Sequence, residues 1–231
     1  MNEAILEVIA CSVADAIQAQ KGGASRLEVV RDLDRGGLTP SIDLVRAIRG
    51  AVHLPLRVML RESDGFGISG ETEIERLCTA AAEFSNLGVD GLVLGFLRGD
   101  EIDLELTRLV LACAPGLKAT FHHAFEDTAN RLRAVTELKS LSQVDRILSH
   151  GGPGELEQRM RQLASYAEAA VPELRIIAGG GIDGRVVKLL RRTTRIREFH
   201  VGRAARKDSQ VDGPVVEELV RELVEATRAV V

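Results

Sequence analysis

The sequence predicts an α/β protein folded as one closed (β/α)8 barrel. Three observations point there. Short β-rich runs alternate with longer amphipathic runs from end to end, the pattern of parallel strands joined by helical crossovers. Eight such pairs are present, with no stretch left over for a second domain. The 231 residues are 45% hydrophobic and 28% charged, ordinary for a single sizeable core. A doubly wound open sheet is the rival, but it would use fewer strands or carry a cofactor fingerprint. The "GGG" at Gly179–Gly181 is not GxGxxG.

The elements follow in order. "AILEVIA" at Ala4–Ala10 is an apolar strand run interrupted by Glu7, and Val13–Lys21 is its helix. "RLEVV" at Arg26–Val30 leads to Ile42–Gly50, with Ser41 as N-cap. "LRVML" at Leu56–Leu60 precedes Glu71–Leu87, and "GLVLGFL" at Gly91–Leu97 precedes Leu104–Cys113. "KATFH" at Lys118–His122 is followed by Asn130–Leu141, and "RILS" at Arg146–Ser149 by Glu155–Ala170. "RIIA" at Arg175–Ala178 pairs with Gly184–Arg192. "EFHV" at Glu198–Val201 pairs with Pro214–Val230, where Pro214 suits a first helical turn. One domain over 1–231 is expected.

Charge narrows the function classes. Lys+Arg 30 against Asp+Glu 34 gives a net charge of −4, which does not suit an electrostatic nucleic-acid binder. The one basic run, "RRTTRIR" at Arg191–Arg197, reads as a solvated helix end and loop. No apolar stretch approaches the ~18 residues of a membrane helix. The N-terminal run has no basic region before it and is interrupted by Glu3 and Glu7, a poor signal peptide. Cys11, Cys78 and Cys113 are odd in number and far apart, which predicts free thiols in a cytoplasmic protein.

In such a barrel, function gathers at the C-terminal strand ends. Polar residues in or just after the strands are therefore the candidates: Glu7, Glu28, Arg57, Arg61, His122, Ser149, His150 and His200. A carboxylate inside an apolar strand is expensive unless paired, so Glu7 and Glu28 call for cationic partners. Arg57, Arg61 and His122 are the candidates. A structural ion-pair layer is the alternative for Glu7, Glu28 and Arg57. At the strand ends, His122 is expected to work as acid or base and Arg61 to hold a carboxylate or oxyanion. Glu28 and Glu7 would orient groups or act as a second base. His123 should face the opposite way from His122. Lys118 opens its strand at the wrong end for a Schiff base. No metal site is expected.

The glycine loops "AGGGI" and "VGRA" follow the last two strands. Barrels of this class place phosphates there, on backbone amides. Gly180, Gly181, Gly202 and Arg203 are the expected cradle, with Ser149 beside them. Tight turns that merely close the barrel are the alternative. The expected ligand is a small anionic or phosphorylated metabolite, and the expected chemistry is acid–base, of lyase, isomerase or aldolase-like type.

"LEVIACS", "GASRLEVV", "RGGLTPS", "GVDGLVLGFL", "ATFHHAFED", "DRILSHGG", "IIAGGGI" and "EFHVGRA" together resemble the CutC copper-homeostasis family, in order and over nearly the whole chain. The resemblance implies a cytoplasmic TIM barrel, a homodimer or higher oligomer, and copper handling. It places matching residues at Glu7, Ser12, Arg26, Glu28, Arg61, His122 and Phe125. It also implies cysteine ligands for Cu(I) at positions where this chain has Ile9, Ala10 and Val30, with Cys11 one residue away.

Overall fold

The computed structural model describes residues 4–228. In chain order the strands are β1 (Ile5–Ala10), β2 (Arg26–Val29), β3 (Leu56–Met59), β4 (Gly91–Leu94), β5 (Leu97–Arg98), β6 (Glu101–Ile102), β7 (Lys118–Phe121), β8 (Val144–Ser149), β9 (Arg175–Ala178) and β10 (Glu198–Val201). The helices are α1 (Val13–Lys21), α2 (Ile42–Ala51), α3 (Glu71–Asn86), α4 (Leu104–Ala112), α5 (Arg131–Leu138), α6 (Leu156–Ala170), α7 (Gly184–Thr193) and α8 (Glu217–Arg228). Eight strands close in the order β1-β10-β9-β8-β7-β4-β3-β2. Every ladder around the ring is parallel, including β1 with both β2 and β10. This is the (β/α)8 TIM barrel that the alternation predicts.

Two departures have local causes. The run Gly91–Leu97 does not stay in the barrel. It leaves at Gly95, where a Cβ would lie 2.6 Å from the His122 ring, and Leu97–Arg98 turns back against Glu101–Ile102 as an antiparallel pair. Pro214 is not in the last helix. Its carbonyl accepts from Lys207, and Val215 bridges Arg206 and donates to Asp15, so the segment ties the barrel's end together before α8 begins. The expected span's residues 229–230 lie outside the described ones, as do residues 1–3, including Glu3. Ser41 caps α2 by accepting from the Leu44 amide.

Strand alternation sends a layer of charge into the barrel. Register sets Glu7 beside both Arg26 and His200, and Glu28 beside Arg57. Arg57 donates to both oxygens of Asp145 at 2.8 Å and to Thr120. Gly91 makes room for it, since a Cβ there would meet Lys118 O at 2.7 Å and the Arg57 guanidinium at 3.3 Å. Two residues further along the same strands, Ile9, Val30, Met59 and Val93 form an apolar cluster over this layer. The register shift at Ala119/Thr120 between β7 and β8 brings the consecutive Asp145 and Arg146 both into ion pairs.

Candidate active site

A cleft of about 720 Å³ opens at the C-terminal mouth. Ser149, Gly180, Gly181, Gly202 and Arg203 all line it, so the strand-end loops do meet in one place. Gly180 has φ +72, and a Cβ would strike His150 at 2.4 Å, so this glycine answers a close approach within the fold. Gly181 has φ +79 and only open space where its Cβ would be. Gly202 is different. Its φ is −110, and a Cβ would touch Ile9 at 3.0 Å. Arg203 is exposed and has no carboxylate partner among the described residues. Asp183 also lines the cleft, with one oxygen capping α7 through the Val186 amide.

Ser149 is held from below. Glu126, 6% exposed, accepts from Ser149 Oγ at 2.6 Å, from the His150 amide at 2.7 Å and from Arg131 at 3.1 Å. This carboxylate fixes the loop after β8. It sits in the short turn after β7, where the sequence gives no periodicity to interpret.

The other sequence candidates are placed elsewhere. His122 is fully buried and does not line the cleft. The strand ends at Phe121, and His122 becomes the cap of the turn His123–Asp127, its Nδ1 accepting from the Ala124 amide at 3.1 Å. Nε2 is buried without a partner. Burial, then the neighbouring His123 and Arg61, hold its pKa well below the ordinary imidazole value. A neutral ring with both nitrogens enclosed is poorly suited to the acid–base role first expected of it. His123, expected to face away, lines the cleft. Burial lowers its pKa to about 4.

Arg61 is 6% exposed and also lies off the cleft. Its Nη1 donates to the Arg35 carbonyl at 3.1 Å and the Gly37 carbonyl at 3.3 Å, its Nη2 donates to Asp64 O, and the guanidinium lies 5.1 Å from the Phe66 ring centre. It pins the loops after β2 and β3, and those donors are committed before any ligand arrives.

Glu7 and Glu28 do not line the cleft either, but they converge on a residue that does. His200 Nδ1 lies 2.8 Å from Glu7 Oε1 and 3.1 Å from Glu28 Oε2. The first is a hydrogen bond. The second is off the line of the N–H, and Glu28 Oε2 has no hydrogen-bond partner although it is buried. Arg26 binds Glu7's other oxygen and reaches Glu198 at 3.1 Å. Burial works against an imidazolium at His200, but Glu28 and then Glu7 outweigh it and raise the pKa. Burial lifts the Glu28 carboxyl to about 7. Two carboxylates and one imidazole this close titrate as a unit.

With Nδ1 engaged and the ring edge lining the cleft, Nε2 is the atom His200 offers to a bound molecule. A base oriented by carboxylates through its far nitrogen is a recurring acid–base device. The sequence carried a signal for it. "EFHV" places Glu198 and His200 on the same side of β10, beside the one polar residue of β1, Glu7.

The same three residues bring donor atoms within 4.8 Å of one another, a spacing that a cation would also accept. They are oxygen and imidazole donors, unsuited to soft Cu(I). The sulfur set does not suit it either. Ile9 and Val30 are packed hydrocarbon in the apolar cluster, and Ala10 is fully buried. Burial pushes the Cys11 thiol up to about 11, and its one polar neighbour at Sγ is Arg206 at 3.4 Å.

The comparisons agree with this fold. The sequence model of the CutC family matches residues 4–205. A CutC family protein of Xylella fastidiosa (strain Temecula1) is 35% identical over 196 residues, covering 84% of this chain and 73% of that protein. The human copper homeostasis protein cutC homolog is 31% identical over 209 residues, 90% of this chain and 76% of that one. A solved structure of CutC from Streptococcus agalactiae superposes with a TM-score of 0.79 at 25% identity, over 85% of this chain and 97% of that chain. Among the described residues no helix is long and apolar enough to cross a membrane. The chain belongs to the CutC family.

Proposed function

We propose that this CutC-family barrel binds a small anionic, phosphorylated metabolite in its mouth and moves a proton on it, as a lyase or isomerase does. The observation that carries this is His200. It lies in the cleft wall with Nδ1 held by Glu7, Glu28 beside it, and its other nitrogen free to meet a ligand. His200 takes the acid–base role, and the two carboxylates hold its orientation and its charge. Arg203 with Gly180, Gly181 and Gly202 forms the anion cradle, and Ser149 stands beside it. A cytoplasmic homodimer is the accompanying proposal, supported by the family resemblance alone.

The test is wash-in of solvent deuterium into a panel of phosphorylated hydroxy-ketones and hydroxy-acids, followed by mass spectrometry. Incorporation that depends on His200 supports the reading, and none across the panel counts against it. Phosphate itself should raise the melting temperature, because it binds the native state only. Arg203→Ala should weaken that binding by about 1.5–3 kcal/mol, with chloride matching the ionic strength. Equal stabilisation by phosphate and chloride would return the glycines to the role of turns. Gly202→Val is a poor probe, since the added side chain would press on Ile9.

Copper homeostasis is the second reading, and the names of the human and mouse relatives favour it over the first. The described residues do not offer a soft sulfur site for Cu(I) at these strand ends. Competition with a Cu(I) chelator should leave the protein without a stoichiometric equivalent. Retention of one equivalent at sub-micromolar free copper, lost in Cys11→Ser, would establish the copper reading instead.

A further inference from the structure

A second cavity, of about 730 Å³, lies at the opposite end of the barrel, below the N-terminal ends of β8, β9 and β10. We propose that it is a second ligand site, for a small organic anion, and that its occupancy is transmitted to His200 through Glu198, Arg26 and Glu7.

The charge balance of the cavity calls for an anion. Arg146, Arg175, Arg195 and Arg197 line it, and among the described residues only Arg146 is paired with carboxylates. Among the described residues Arg175 and Arg197 donate to backbone carbonyls alone, and Arg195 is exposed. Of the lining acids, Asp145 and Glu198 are taken up by arginines, and Glu173 by Lys139. Glu168 is the one remaining carboxylate among the described lining residues. Three guanidiniums without a carboxylate partner among the described residues share the lining with it, and planar forks of this kind suit phosphate or carboxylate. Ile5, Val171, Pro172, Ile176 and Ile196 supply an apolar wall, so the ligand carries a hydrocarbon or aromatic body beside its anionic group. The basic run Arg191–Arg197, which reads from sequence as a solvated loop, contributes two of the cations.

The connection to the mouth is a chain of direct contacts. Glu198 lines this cavity and accepts from Arg146 Nε at 2.7 Å and from Arg26 Nη2 at 3.1 Å. Arg26 Nε donates to Glu7, and Glu7 meets His200 Nδ1 at 2.8 Å. His200 lines the mouth cleft. An anion that draws Arg146 away leaves Glu198 to pull harder on Arg26, and Arg26 then neutralises Glu7 less. The groups facing His200 are Glu7 from β1, Arg26 and Glu28 from β2, and His123 from the turn after β7. Less cationic influence from Arg26 and a new negative charge below both favour the imidazolium. The titration of His200 should therefore move upward.

The experiment uses phenyl phosphate as probe and isotope-labelled histidine, followed by NMR in an Arg203→Ala background that weakens the mouth site. Phenyl phosphate should bind and shift the His200 midpoint upward. Arg175→Ser with Arg195→Ser, both exposed positions, should lower its affinity by about tenfold or more. Glu198→Gln should keep the binding and lose the shift. Unchanged affinity in the double arginine variant would overturn the site. Binding without movement of His200 would overturn the connection. Neither readout is an activity, so failure here is distinct from failure of proton transfer at the mouth.

Discussion

Replacing Arg26 with methionine should cost the barrel about 3–5 kcal/mol at pH 7, because it strands buried charge. Glu7 is 1% exposed and Glu198 is 8% exposed, and both pair with this guanidinium, Glu198 sharing Arg146 as well. In the native protein burial raises the Glu7 pKa, but Arg26 and then His200 more than reverse it and hold the carboxyl far below its ordinary range. A carboxyl depressed in the folded state stabilises above its unfolded pKa, ~4.3, and loses that contribution as pH falls. Without Arg26, burial governs, and Glu7 shifts towards its protonated form. The gap between variant and native protein should therefore narrow on acidification. Urea unfolding at neutral pH and near ~4.5 reads both effects. A cost below ~1 kcal/mol at pH 7 would mean that solvent reaches this layer.

His200→Gln should reduce deuterium wash-in by about 10²–10⁴-fold while leaving phosphate affinity nearly unchanged. The amide can still meet Glu7, but it cannot carry a proton to and fro. Stability should shift too. A histidine whose folded pKa is raised stabilises fully below ~6.5 and loses that contribution as pH climbs through the raised value. Glutamine has no such dependence, so the deficit should be greatest in mild acid and fade in alkali. A folded His122→Gln variant should keep its exchange activity. Loss of exchange in that variant, with retention in His200→Gln, would return the role to His122.

The barrel was legible because its signal is repeated eight times. Apolar runs of four to seven residues and longer amphipathic runs survive errors of a residue or two at either end. The buried carboxylates were legible in kind, since Glu7 and Glu28 interrupt otherwise apolar strand runs. Their partners were not. Pairing depends on which strands adjoin across the closed ring, and β1 meets β10 only because the barrel closes. That closure brings His200, 193 residues away in sequence, to Glu7. His122 misled for a different reason. Alternation holds only while the chain stays extended, and the backbone leaves the strand at Phe121 to spend the imidazole on a turn. The bulge before Arg146 leaves no mark in composition.

The glycine beneath Arg57 has a consequence for how this protein varies under selection. In a saturation library scored for folded protein, Gly91 should be a barren position. Even alanine would need β7's backbone at Lys118 to move, since that contact is 2.7 Å to a carbonyl oxygen. The neighbouring guanidinium adds a second obstacle at 3.3 Å, and its bonds to Asp145 and Thr120 keep it from swinging aside. Gly50 and Gly116, with open space around them, should accept most codons. Survivors at Gly91 would be expected to carry changes that both move the β7 backbone at Lys118 and shorten residue 57. A shorter residue 57 alone would not open position 91, because the Lys118 carbonyl still stands in the way.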